Sequence, residues 1–148
     1  MAKANEINEE QFEQDFVAGM LEAAKTRINP ETPTIKIIRD EKVLFTFRVR
    51  ALDEDEWQSC RRKSLMNRGK PTEEVNNARF INQVIYEATL EDDKEKTWKV
   101  KQLWKQFGVV TGSELVGKIL SVGEKNKIFE VISNLSGYYD DYEDMVKN

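Results

Sequence analysis

The chain has 148 residues, of which 39% are hydrophobic and 34% charged, with a net charge of −4, no histidine and one cysteine. Without histidine, the commonest general base and metal ligand is missing, and Cys60 alone can make neither an intrachain disulfide nor a Cys/His zinc site. The acidic balance and a mean hydropathy of −0.66 argue against a dedicated nucleic-acid binder and against a membrane span, which needs roughly 20 uncharged apolar residues.

The first predicted element is an amphipathic helix from about Asn8 to Arg27, with Phe12, Phe16 and Met20 at i, i+4 and i+8. Val17, Leu21 and Ala24 widen its stripe, Asn8 is a candidate N-cap, and Asn29-Pro30 should stop it. The stripe either docks on the chain's own body, the plainer reading, or is left free to bind a partner. Two runs then carry strand character, Thr34–Ile38 and Val43–Arg50, around the polar turn Arg39–Lys42. In the second run Val43, Phe45, Phe47 and Val49 alternate with increasingly polar neighbours, which is the period of a half-buried strand. A hairpin with a four-residue loop is predicted. A free edge on it would allow strand addition or a homo-oligomer.

Asp53 and Glu56 form a capping-box pattern for a helix running to about Asn67, with Trp57, Cys60 and Leu65 on one face. Cys60 reads as a small buried residue in preference to a reactive thiol. The basic run Arg61, Arg62, Lys63, Arg68 and Lys70 reads as a solvated helix end and loop in preference to a phosphate site. A long helix is predicted from Thr72 to about Leu90. The charged stretch Glu91–Lys96 should be an exposed loop, and Thr97–Phe107 a helix bringing Trp98, Trp104 and Phe107 into the core, ended by Gly108. Thr111 opens a short helix, a break follows near Val122-Gly123, and a last helix runs from about Glu124 to Leu135 with Gly137 just beyond it. Tyr138, Tyr139 and Tyr142, interleaved with acidic residues, either dock on a basic partner or form a solvated tail.

No Gly-rich phosphate loop, nucleophile elbow or acidic calcium loop is present, so a non-catalytic protein without cofactor or metal is expected. The start, MAKANEINEE, lacks the apolar centre of a signal peptide, and a cytoplasmic setting is expected. The element order predicts an α+β fold, predominantly helical, in which one β-hairpin packs against four to five helices and an amphipathic helix precedes them.

Three segments carry a family resemblance: FTFRVRALDEDEWQSCRRK from Phe45, ARFINQVIYEATLEDDKEKTWKVKQLWKQFGV from Ala78, and TGSELVGKILSVGEKNKIFEVISNLSGYYDD from Thr111. Their most specific pieces are RALDEDEW, the spacing TGSEL…GE and LSGY. Together they resemble the XkdN-like tail assembly chaperones of Gram-positive phages and prophages, over roughly Thr34 to Tyr139. The resemblance implies a protein of the host bacterial cytoplasm that keeps the tape measure protein soluble until tail tube subunits polymerise around it. It divides the chain into a helix at 1–29, a chaperone-like body at 34–137 and an acidic tail at 138–148. Phe12, Phe16 and Met20, Val43, Phe45 and Phe47 on the hairpin, and Tyr138 and Tyr139 are the candidate partner-binding residues. A structural subunit retained in the virion is the alternative, and a nucleic-acid-binding regulator a weaker one.

Overall fold

Each change of hydrophobic period in the sequence is matched by a change of backbone geometry. A computed structural model describes residues 9–138. Helix α1 spans Glu9–Thr26, and the chain straightens before Pro30 as expected, while the candidate cap Asn8 lies outside the described residues.

Strands β1 (Thr34–Arg39) and β2 (Lys42–Arg48) pair antiparallel. Their turn is tighter than the four-residue loop expected. Arg39 pairs with Lys42, leaving Asp40 and Glu41 to reverse the chain with φ of 52° and 63°. Two left-handed residues make a turn of the primed kind, whose twist matches that of the strands. Ile37 opposes Phe45 but Ile38 opposes Val43, so Leu44 is an extra residue, a bulge. Below the bulge the predicted alternation holds: Ile37, Phe47 and Val49 are buried and Ile35 and Phe45 half-buried.

Helix α2 (Glu54–Lys63) starts with the expected capping box. The Asp53 carboxylate accepts from the Glu56 N–H at 2.8 Å, and the Glu56 carboxylate accepts from the Asp53 N–H at 3.1 Å. It ends before the expected Asn67, because Leu65–Met66 (β3) turns aside to pair with Glu74–Val75 (β4). That pairing also displaces the start of the next helix from Thr72. Helix α3 (Asn77–Ala88) is capped by Asn76, which accepts from the Arg79 N–H at 3.0 Å. The charged stretch expected as an exposed loop is a short helix, α4 (Glu91–Lys96), and it buries Lys94. The Lys94 ammonium donates to Glu91 at 2.8 Å and lies 5.0 Å over the Tyr86 ring, so its stem is covered and its charge is met.

Helix α5 (Lys101–Phe107) begins later than predicted and leaves Trp98 in the preceding turn, fully buried. The Trp98 indole N–H donates to the Thr89 hydroxyl at 3.0 Å, and the Trp98 carbonyl accepts from the Trp104 indole at 2.7 Å. Trp98 is core as expected and Trp104 half-buried, but Phe107, in the last turn of α5 before Gly108, is 40% exposed. Gly108, at φ 66°, ends it as predicted. Helix α6 (Gly112–Ile119) is capped by Thr111, and α7 (Val122–Leu135) by a capping box of Ser121 and Glu124, so the expected break falls at Ser121. Gly137 follows in the left-handed region, φ 93°.

The core is organised around α3, which packs against α2, α6 and α7. Val84, Ile85 and Ala88 meet Leu115, Val116, Ile128 and Ile132 there. The hairpin's inner face closes on Trp98, with Phe47 at 5.3 Å and Phe45 at 6.0 Å, both edge to face. The last residues of β2 are sealed by Leu90, which donates to the Arg48 carbonyl at 3.0 Å, and by a bridge from Val49 to Thr89. The architecture is α+β and predominantly helical, with seven helices and the hairpin among the described residues.

At the hairpin tip Arg39 donates to Glu124 at 2.6 Å and to the Ile119 carbonyl at 2.8 Å, tying β1 to the start of α7. Arg39, seconded by the Ser121 N–H, holds the Glu124 carboxyl down to about 2 against its partial burial. A carboxylate depressed in the folded state stabilises above its ordinary pKa, and that contribution is lost as pH falls from the carboxylate range toward 2. Wild type should therefore exceed Glu124→Gln in urea midpoint at pH 6, the gap shrinking as pH is lowered toward 2. Trp98→Ala should cost ~3–5 kcal/mol in the same melts, since it removes a large buried side chain and the indole N–H that donates to the Thr89 hydroxyl, leaving that hydroxyl its bond to the Ile85 carbonyl.

Candidate partner-binding surface

No residue of α1 is buried. Helical spacing gathers Phe12, Phe16, Val17, Met20 and Leu21 on one half of the helix, and each is between 54% and 61% exposed. Phe12 and Phe16 stack on one another, ring centroids 6.4 Å apart, and on nothing in the body. Five large apolar side chains, each more than half exposed along about three turns, form a contiguous apolar patch of the kind interaction surfaces use. Among the described residues the helix is attached at its root. Ile28 packs against the core, Asn29 donates to the Leu135 carbonyl at 2.9 Å, and Gly137 lies so close to the Arg27 carbonyl that an added Cβ would come within 2.8 Å.

The hairpin residues divide. Val43 is 50% exposed and joins Ile38 and Leu44 in an apolar patch at the tip. Phe47, proposed from sequence as a partner contact, is 1% exposed and wedged against Trp98, so it cannot be an accessible contact. Phe45 is half-buried in the same aromatic cluster. Ile38 and Leu44 escape sequence reading because the bulge that exposes them leaves no mark in the alternation. Strand β1 has a strand neighbour on one side only among the described residues. Its other edge borders a groove of about 350 Å³ shared with Glu124, Lys127, Ile128 and Val131 of α7.

Tyr138 is 53% exposed but stacked on Trp57 at 4.9 Å, where it lines a recess with Arg27 and Ile28 at the root of α1. Tyr139, Tyr142 and the acidic residues among them lie outside the described residues. The structure thus brings the base of α1 and Tyr138 together and holds the hairpin tip apart from both. The tip meets the start of α7 and Tyr138 follows its end, a separation of ~20 Å along that helix.

The remaining candidates are structural. Cys60 is buried, and burial pushes its thiol up to about 11, which makes it an apolar filler. Arg61, Arg62 and Lys63 occupy the last turn of α2, where the helix carbonyls favour cations, and Arg68 donates to the Arg62 carbonyl. Among the described residues no group of His, Cys, Asp and Glu is placed to hold a metal, and no helix is long and apolar enough to cross a membrane.

Because α1 buries no residue, Phe12→Ala and Phe16→Ala should leave the unfolding free energy from urea melts within about 0.5 kcal/mol of wild type. Phe47→Ala should cost ~3–5 kcal/mol. A Phe16→Ala loss as large as that of Phe47→Ala would show the helix docked on its own fold.

The family model for phage XkdN-like tail assembly chaperone proteins matches residues 17–148. The match extends beyond the resemblance read from sequence at both ends, taking in the second half of α1 and the chain's last residues. No curated protein matches the sequence. The crystal structure of the protein yqbn is similar in fold, with a TM-score of 0.50 and 19% sequence identity, over 76% of this chain and 89% of that one.

Proposed function

The chain belongs to the XkdN-like phage tail assembly chaperones, and from that premise we propose that it binds the tape measure protein and keeps it soluble while the tail is built. The observation that carries this reading is α1, a helix of 18 residues with an apolar half and no buried residue. Such a helix offers what a chaperone for a long helical client requires. Its stripe can cover an apolar stripe on the client by side-by-side helix packing, the i, i+4 anchors being Phe12, Phe16 and Met20. The contact is a single helix face, so it is worth about the few kcal/mol that polymerising tube subunits could displace.

The tip residues Ile38, Val43 and Leu44 would form a second, smaller contact, and the open edge of β1 a place for strand addition by the client or by a second copy. The role is one of binding without catalysis, in the host cytoplasm where the tail is assembled. Tail tube subunits are the competitors that release the client.

Co-expression with the tape measure protein tests the role and the site separately. The wild-type chain should move the client from the insoluble to the soluble fraction. Changing Phe12, Phe16 and Met20 together to Asp should abolish the rescue without unfolding the body. Undiminished rescue by that variant would keep the role and discard α1 as its site, and no rescue by wild type would discard the role.

A further inference from the structure

The charges of α1 are distributed unevenly, and the distribution specifies a partner. The helix carries five acidic residues against the single cation Lys25. At about 3.6 residues per turn, the half-circle from Phe12 round to Leu21 also takes in Glu9, Glu10 and Glu13. Every polar side chain on the apolar half is thus a glutamate, and all three lie at its N-terminal end; from Phe16 onward that half is wholly apolar. Glu9 and Glu13 are one turn apart, on either side of the line that carries Met20, and no salt bridge among the described residues engages either.

A partner that covers the stripe must cover these carboxylates as well. Covering a carboxylate without a counter-charge costs more than the neighbouring apolar contacts return. A second copy of α1 cannot supply the counter-charge. Laid parallel it sets glutamate on glutamate, and laid antiparallel it brings up a C-terminal end where Lys25 lies off the apolar half and Arg27, past the end of the helix, lines the recess at the root.

Resting on the reading of α1 as the client-binding face, we propose that the segment it holds is a basic amphipathic helix. One end of that helix carries two or more Lys or Arg residues one turn apart, level with Glu9 and Glu13, and the rest is an apolar stripe that lies along Phe16 to Ala24. The apolar part would supply the affinity, and the charged end the direction and register in which the client lies.

The test uses the full chain and two labelled synthetic helices with the same Leu/Ala stripe, one carrying an i, i+4 lysine pair at one end and the other glutamates there. By fluorescence anisotropy at low salt the lysine peptide should bind on the order of tenfold more tightly. Glu9→Lys with Glu13→Lys should reverse the preference, a readout that loss of helix alone, checked by circular dichroism, would not produce. The variant with Asp at Phe12, Phe16 and Met20 should bind neither. Equal binding of both peptides would leave α1 as a docking face and overturn the basic class. Lysine-peptide binding that survives in the Asp variant would place that binding elsewhere and overturn the proposal. A dimer in sedimentation, lost in the Asp variant, would assign the stripe to a second copy and overturn it too. Binding of neither peptide to wild type would remove both the proposal and the reading beneath it.

Discussion

A helix whose apolar half is left unburied by the described residues of its own fold is the condition on which the rest of this protein is arranged. In water an isolated helix of 18 residues is marginal, because nucleation is costly and exposed apolar side chains give nothing back. On the proposed reading, α1 is completed by the client it binds. Among the described residues the body buries none of α1. Its core is closed by α3 between α2, α6 and α7, and the hairpin's inner face is spent on Trp98. What the body supplies is the root: Ile28 packed, Asn29 bonded to the end of α7, and a close approach of the chain at Gly137. A held base with an exposed shaft suits the proposed task of holding a client and releasing it.

The same division runs through the hairpin. Below the bulge at Leu44 its side chains alternate into the core, and Phe47 is inaccessible because it helps to bury Trp98. Above the bulge the alternation is broken and Ile38, Val43 and Leu44 are left in solvent. Arg39 pins the tip to Glu124 and the Ile119 carbonyl, so that small patch is presented on a fixed support. Structural rigidity and available apolar surface come from adjacent residues of one strand pair, separated by a single inserted residue.

Much of this was legible in the sequence where the local signal is strong. The period of Phe12, Phe16 and Met20, the capping box of Asp53 and Glu56, and the stops at Pro30 and Gly108 each act over a few residues, and the structure follows them. What local patterns cannot carry is the identity of the partner each apolar row will find. Phe16 and Phe47 are equally large and equally periodic, yet one is exposed and the other is at the centre of a cluster, because only the second faces Trp98. Lys94 looks like part of a solvated run until Tyr86 and Glu91 surround it. The β3–β4 pairing takes residues from two predicted helices, because strands of two residues are too short to show an alternation.

Hydrogen exchange of the backbone amides of residues 9–26, in the free chain and in complex with the tape measure protein, tests the central claim most directly. The amides of α1 should exchange rapidly in the free protein, while those of α3 are protected, and should become protected when the client is bound. Protection of α1 in the free chain equal to that of α3, or no change in α1 on forming the complex, would contradict the account.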